Sequence, residues 1–225
     1  QELEETYKTK LFERNGSKIA LTPAGHLLLQ HTKSIFDIYR EIEFDMSSFV
    51  TKRQGLLRLG ASTTLSQYVI SPILAQFHKK EKEISIHLIN GNTEQIENAL
   101  LNKEIEVGVV EGQSKNQSIK YVPFLKDELV LVCRANHPLA QTNEIAIATL
   151  KTLRLVTRER GSGTLEVIEH ALKQRNVKLS DLQIEMQLGS TESIKSYLLH
   201  SDCFAFISIH AVSKELKNKE LIVLD

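Results

Sequence analysis

Residues 86–101, IHLINGNTEQIENALL, align without gaps onto residues 184–199, IEMQLGSTESIKSYLL. Ile86, Gly91, Thr93, Glu94, Ile96, Leu100 and Leu101 recur as Ile184, Gly189, Thr191, Glu192, Ile194, Leu198 and Leu199. Each copy reads as a strand, a glycine turn and a capped helix. An apolar strand follows each, over 105–110 in the first copy and 204–208 in the second. Upstream, Leu57-Arg58-Leu59 leads through Ala61-Ser62-Thr63-Thr64 into a helix. Likewise, Leu153-Arg154-Leu155 leads through Arg160-Gly161-Ser162-Gly163-Thr164 into another. Strands alternating with amphipathic helices imply parallel sheets. The doubling predicts an α/β fold of two Rossmann-like lobes with a cleft between them. Seven identities in sixteen ungapped positions, in the same element order, outweigh chance similarity.

The lobes are expected over 55–125 and 126–219. Residues 119–125 and 129–133 read as strands, with the crossing near 124–127, and 220–225 as the start of a return crossover to the first lobe. In parallel sheets, ligands bind beyond the carboxyl ends of the strands. Those ends carry Ser62-Thr63-Thr64, the Arg160–Thr164 loop, Ser190-Thr191 and Ile207-Ser208. The first three open helices, whose N-termini offer unpaired N–H groups and a positive dipole end. One hydroxyl there is an ordinary cap; several in equivalent places suit an anionic ligand, with Arg158 or Arg160 adding a charged contact. Other chemistry is weak. The His residues lack metal-ligand spacing, Gly161-Ser162-Gly163 is neither a phosphate loop nor a nucleophile elbow, and Cys203 reads as a buried, inert thiol. No catalytic constellation, cofactor or metal site is expected.

Ahead of the lobes, residues 11–25, LFERNGSKIALTPAG, read as a hairpin turning at Asn15-Gly16, followed by a helix capped by Thr22 with Pro23 in its first turn. A small hairpin with a basic tip feeding a long helix looks like the wing of a winged helix-turn-helix. Arg14, Ser17 and Lys18 could reach DNA phosphates, which supplies affinity with little sequence information. The helix is expected from Thr22 to about Phe49. Leu28, Ile35, Ile42 and Phe49 repeat every seven residues, with Ile38 beside them, a coiled-coil-like dimerisation stripe. A core helix packed on its own domain is the plainer alternative. Residues 1–25 are thus read as a winged-helix remnant and 22–54 as a linker helix. The chain, which begins on what reads as the last turns of a helix, is expected to be truncated at both ends.

Composition excludes little more. The 225 residues carry a formal net charge of +0 and two cysteines, so neither a nucleic-acid coat protein nor a disulfide scaffold is indicated. With no apolar run of membrane length and no signal peptide, a cytoplasmic protein is expected.

The chain resembles the LysR-type transcriptional regulators over essentially its whole length. The resemblance rests on Leu11-Phe12-Glu13-Arg14, Leu21-Thr22-Pro23-Ala24-Gly25, Leu57-Arg58-Leu59-Gly60-Ala61-Ser62, Gly91-Asn92-Thr93, Asp127-Glu128-Leu129-Val130-Leu131-Val132, His137-Pro138-Leu139 and residues 158–164. It implies a winged helix, a linker helix pairing two subunits, and a two-lobed effector domain like the periplasmic binding proteins. It also implies a homodimer or homotetramer, double-stranded DNA as partner through the full-length parent, and RNA polymerase as a candidate further partner. Implied effector positions are Ser62, Thr63, Thr64, Glu111, Gly161, Ser162, Gly163, Thr164, Thr191 and Ser208. The family usually has Gly-x-Gly before the strand at 204–208, where this chain has Ser201 and Cys203; the local turn must then avoid positive φ. The reading is a ligand-responsive bacterial DNA-binding regulator sensing a small anionic metabolite, and not an enzyme. The alternative is a transporter's solute-binding protein, which explains the lobes but not residues 1–54.

Overall fold

A computed structural model describes residues 2–16, 18–47, 55–112, 116–142 and 145–224. Ser17, Phe49 and the linker residues 51–54 lie outside the described residues. The chain divides into two compact units, Gln1–Gly55 and Leu56–Asp225.

In the first unit, helix α1 (Glu2–Tyr7) precedes strands β1 (Phe12–Asn15) and β2 (Lys18–Leu21). The Glu4 carboxylate accepts from the backbone N–H of Leu11 and Phe12 and from Lys10 Nζ, which ties α1 to the hairpin. The register differs by one residue from the expected turn. Asn15 pairs with Lys18, so the loop begins at Gly16 rather than at Asn15. The physical reason is that Gly16 takes the positive φ of 67° at no steric cost, while Asn15 stays in the ladder. Helix α2 (Pro23–Ser47) starts as expected. Thr22 Oγ1 accepts from Gly25 N at 3.0 Å and donates to Lys10 O at 2.6 Å. Within this unit Ile35, Ile38 and Ile42 of α2 are more than half exposed, while Leu28 is partly buried.

The second unit holds two lobes. The first contains β3 (Gly55–Ser62), β4 (Ile84–Gly91) and β5 (Val107–Val109) in the order β4-β3-β5, with β3 and β5 parallel. Between β3 and β4 runs a continuous helix, α3 (63–80), with a π-helical stretch at Ser66–Ile70. Helix α4 (Thr93–Leu101) follows β4, started by a capping box between Asn92 and Gln95. Buried Ala61, Leu65 and Ile70 form one core cluster; Ile96, Ala99 and Ile105 form another.

The second lobe contains β6 (Leu129–Arg134), β7 (Arg154–Arg158), β8 (Gln183–Leu188), β9 (Ala205–Ser208) and β10 (Leu221–Leu224). Its helices are α5 (Ile147–Leu150), α6 (Gly163–Gln174), α7 (Thr191–Leu199) and α8 (Ile209–Lys217). β7 and β8 are parallel, and a parallel bridge between Leu155 and Phe204 joins β7 to the chain entering β9. β6, by contrast, pairs antiparallel with both β9 and β10, so the expectation of purely parallel sheets is corrected to a mixed sheet. Residues 221–224, read as the start of a return crossover, form the outer strand of this sheet. Leu221 and Leu224 are buried in its two core clusters, and that burial keeps the segment in the second lobe. Residues 119–125 are not a strand. Val122, Phe124 and Leu125 are apolar but exposed, and among the described residues they join no ladder; apolar composition alone cannot satisfy a strand's backbone. The repeat holds: α4 and α7 start at equivalent threonines, after N-caps Asn92 and Ser190.

Candidate functional site: the interlobe cleft

The carboxyl ends of β3, β4, β5, β7 and β8 and the starts of α3, α4, α6 and α7 meet where the lobes face each other. Ser62 caps α3 and is buried, as is Thr64. Thr64 Oγ1 lies 3.1 Å from Thr191 Oγ1, one hydroxyl from each lobe. Thr63 points elsewhere, donating to the Gly91 carbonyl at 3.0 Å, so its hydroxyl braces β4 rather than standing free. Thr93 bridges the lobes: its Oγ1 donates to Glu111 O at 2.9 Å and accepts from Gly163 N at 3.1 Å. Ser162, Gly163 and Thr164 are buried at the start of α6. Gly161, at φ 82°, accepts from Glu94 N at 3.2 Å and so serves as a rim contact. Ser208 donates to Asp127 Oδ1 at 2.9 Å.

The two arginines separate cleanly. Arg158 is buried at 2% exposure, while Arg160 is exposed. Arg158 makes a two-pronged ion pair with Glu159, at 2.9 and 3.0 Å. Burial pushes the Glu159 carboxyl up, but Arg158 and Asn92 hold it below its ordinary value. Glu111 behaves oppositely. Burial raises its pKa despite the Ser62 and Thr64 hydroxyls and the charge of Arg158, and Asp127 adds repulsion. Ser62, Thr64, Thr191, Glu111 and Arg158 therefore form one polar cluster between the lobes, with Gly163 close by against the Glu111 main chain. Thr93, Asp127 and Tyr68 were not among the candidate site residues of the sequence. Thr93 was findable, because it is the repeat copy of Thr191.

The Ser201–Cys203 turn avoids positive φ, as it must without glycine. Cys203 N donates to Ser201 Oγ at 3.4 Å, and an Arg134–Asp202 ion pair at 2.6 Å holds the bend. Cys133 and Cys203 are fully buried, and desolvation lifts both thiols, Cys133 to about 11, which keeps them protonated at neutral pH. Among the described residues, no group of three or more His, Cys, Asp or Glu could hold a metal, and no helix is long and apolar enough to cross a membrane.

Glu111→Gln tests the electrostatics. A carboxyl whose pKa is raised on folding is favoured protonated, so its ionised form weakens the fold as pH rises through the folded pKa. Below the ordinary value of 4.5 no penalty remains. The variant is expected to melt higher than the parent at pH 8, with the gap closing on acidification. A gap that does not change between pH 8 and pH 4.5 would show that Glu111 is not desolvated.

Residues 51–225 match the family model described as the LysR substrate binding domain. The HTH-type transcriptional regulator CysL of Bacillus subtilis (strain 168) is 28% identical over 222 residues, covering 99% of this chain and 73% of that protein. The Synechocystis PCC6803 CcmR regulatory domain, solved in complex with 2-PG, superposes with a TM-score of 0.68 at 32% identity. That match covers 76% of this chain and 81% of the other. Full-length CbnR, solved with target DNA, gives a TM-score of 0.70 at 15% identity over 99% of this chain and 75% of its own, a likeness of fold. CysL is named as a transcriptional regulator, and a relative in Cyanophora paradoxa, 29% identical over 220 residues, as a probable RuBisCO transcriptional regulator.

Proposed function

The chain belongs to the LysR substrate-binding domain family, and from that premise we propose that its interlobe cleft binds a small anionic metabolite. As a transcriptional regulator it is set apart from the transporter solute-binding alternative, which shares the fold but not the relatives. The observation that carries the ligand reading is the meeting of three helix N-termini, α3, α6 and α7, with buried hydroxyls around buried Arg158. Helix N-termini stabilise anions through their free N–H groups, and buried hydroxyls add donors without charge. Arg158 is already paired with Glu159, and Glu111 and Asp127 are acidic, so the N–H and hydroxyl donors carry most of the recognition. The 2-PG complex of the CcmR domain supports this reading by likeness.

Effector contacts are assigned to Ser62, Thr64, Ser162, Gly163, Thr164, Thr191 and Arg158, with Thr63, Gly161, Glu111 and Ser208 framing them. The lobes, 55–125 and 126–219, would change their mutual angle on binding, and a ligand shifts that equilibrium only by its differential affinity for the two states. The heptad positions Leu28, Ile35, Ile38, Ile42 and Phe49, of which Ile35, Ile38 and Ile42 are exposed on α2, are assigned to pairing subunits as a homodimer or homotetramer. Arg14, Ser17 and Lys18 of the hairpin are assigned to DNA phosphates, and RNA polymerase is kept as a further partner. The role is sensing rather than catalysis, in the cytoplasm.

A thermal-shift screen of carboxylates, amino acids and inorganic oxyanions tests the cleft. A specific ligand raises the melting temperature by mass action. Ser62→Ala and Thr164→Ala are each expected to weaken the best hit about tenfold, the worth of one hydrogen bond to a charged group. Unchanged affinity in both variants would place the effector elsewhere.

A further inference from the structure

Lys195, on α7 of the second lobe, is only 4% exposed. Its ammonium donates to Glu215 Oε1 at 2.9 Å and to the Ala211 carbonyl at 3.0 Å, both on α8, and lies 2.9 Å from Glu192 Oε1 on its own helix. The fourth side is closed from the other lobe. The ring of Tyr68, in the π-helical stretch of α3, has its centroid 4.9 Å from Lys195 Nζ. The Tyr68 hydroxyl donates to the Glu192 carboxylate, and its ring packs on the core cluster of the second lobe.

A π turn costs hydrogen-bond geometry and persists where it re-aims a side chain. Here Ser71 Oγ takes up the Ser66 carbonyl at 2.7 Å, and Tyr68 leaves its own lobe's core for the neighbouring one. Separating the lobes would strip an aromatic face from a buried cation and a donor from a carboxylate. Glu192 directly follows Thr191, whose hydroxyl meets Thr64 across the cleft. We propose that Tyr68 is the strap that holds the two lobes closed on each other, and that Lys195, clamped by Glu192 and Glu215, is its seat. Tyr68 is thus a positioning residue: it sets the spacing of Thr64 and Thr191 without belonging to the anion site.

The test reads lobe separation in the full chain without ligand. Spin labels are placed through Lys82→Cys in the first lobe and Lys173→Cys in the second, both exposed positions; the native cysteines are fully buried. Pulsed electron resonance is expected to give one short distance in the parent. Tyr68→Phe keeps the ring and loses the hydroxyl, and shifts the closed-to-open ratio about tenfold towards open. Tyr68→Ala and Lys195→Met shift it further, with loss of the short distance. If Tyr68→Phe and Lys195→Met both retain the parent distribution, the strap is refuted, and these two variants decide the matter should Tyr68→Ala fail to fold. The distance is read without effector, so this result stands or falls separately from the anion reading.

Discussion

Lys195→Ala is expected to destabilise the chain by about 3–5 kcal/mol, the usual cost of removing one partner from a buried ion pair. The size follows from what stays behind. Glu215 Oε1 loses its ammonium partner, and Glu215 Oε2 is already buried without a hydrogen bond among the described residues. The Ala211 carbonyl loses its donor, and the ring of Tyr68 faces a void. Glu192 is more exposed and can rehydrate, so Glu215 dominates. The double variant Lys195→Met, Glu215→Leu removes both charges while keeping volume, and should recover most of the loss. Acid acts on the same network. Burial opposes ionisation of Glu192, yet hydrogen bonds from Tyr68 and Lys195 hold its pKa below the ordinary 4.5. Its contribution is therefore present above that value and lost as pH falls through the depressed one. Urea unfolding followed by circular dichroism measures the loss. A single-variant cost under about 1 kcal/mol, typical of a surface pair, would show that the ammonium is hydrated.

The fold was legible where the code is local or periodic. Thr22, Ser62, Asn92 and Ser190 stand where a hydroxyl or amide reaches a helix's free N–H groups, and each caps as its chemistry dictates. The repeat placed Thr191 at an interlobe contact, and its copy Thr93 obeys the same logic. What was not legible depends on long-range partners. Arg158 closes β7 and Arg160 follows two positions later in the turn, and only the packing of the strand end, Glu159 and Asn92 decides which is buried. Lys195 is harder still. At the equivalent position the first lobe has Glu97, which takes a bond from Tyr121 at 2.7 Å. Nothing near Lys195 in sequence announces burial, since its seat comes from α8 and its cover from α3. The 119–125 segment erred for the converse reason: its composition suits a strand, but a strand exists only beside a partner.

Gly163→Ala is expected to have the second-largest effect, and it acts on the cleft itself. Gly163 begins α6, with its N–H on Thr93 Oγ1 and its Cα against the Glu111 main chain of the other lobe. An added Cβ would sit 2.6 Å from Thr93 Oγ1 and deep inside contact distance of the Glu111 carbonyl oxygen. The main obstacle is backbone, so no rotamer change relieves it, and overpacking of this kind costs about 1–3 kcal/mol or more. The least costly escape is separation of the lobes, which breaks the relay from Gly163 N through Thr93 Oγ1 to the Glu111 carbonyl. A lower melting temperature, a longer interlobe distance and at least about tenfold weaker binding of the best anion follow together, since one charge-type hydrogen bond is worth that factor. Gly189→Ala is the control: its added Cβ meets nothing within 4 Å, and its stability should stay within about 0.5 kcal/mol of the parent. If Gly163→Ala matched Gly189→Ala in melting temperature and interlobe distance, the close approach of α6 to Glu111 would not exist in solution. The cleft would then rest open, and the strap at Tyr68 would have nothing to hold shut.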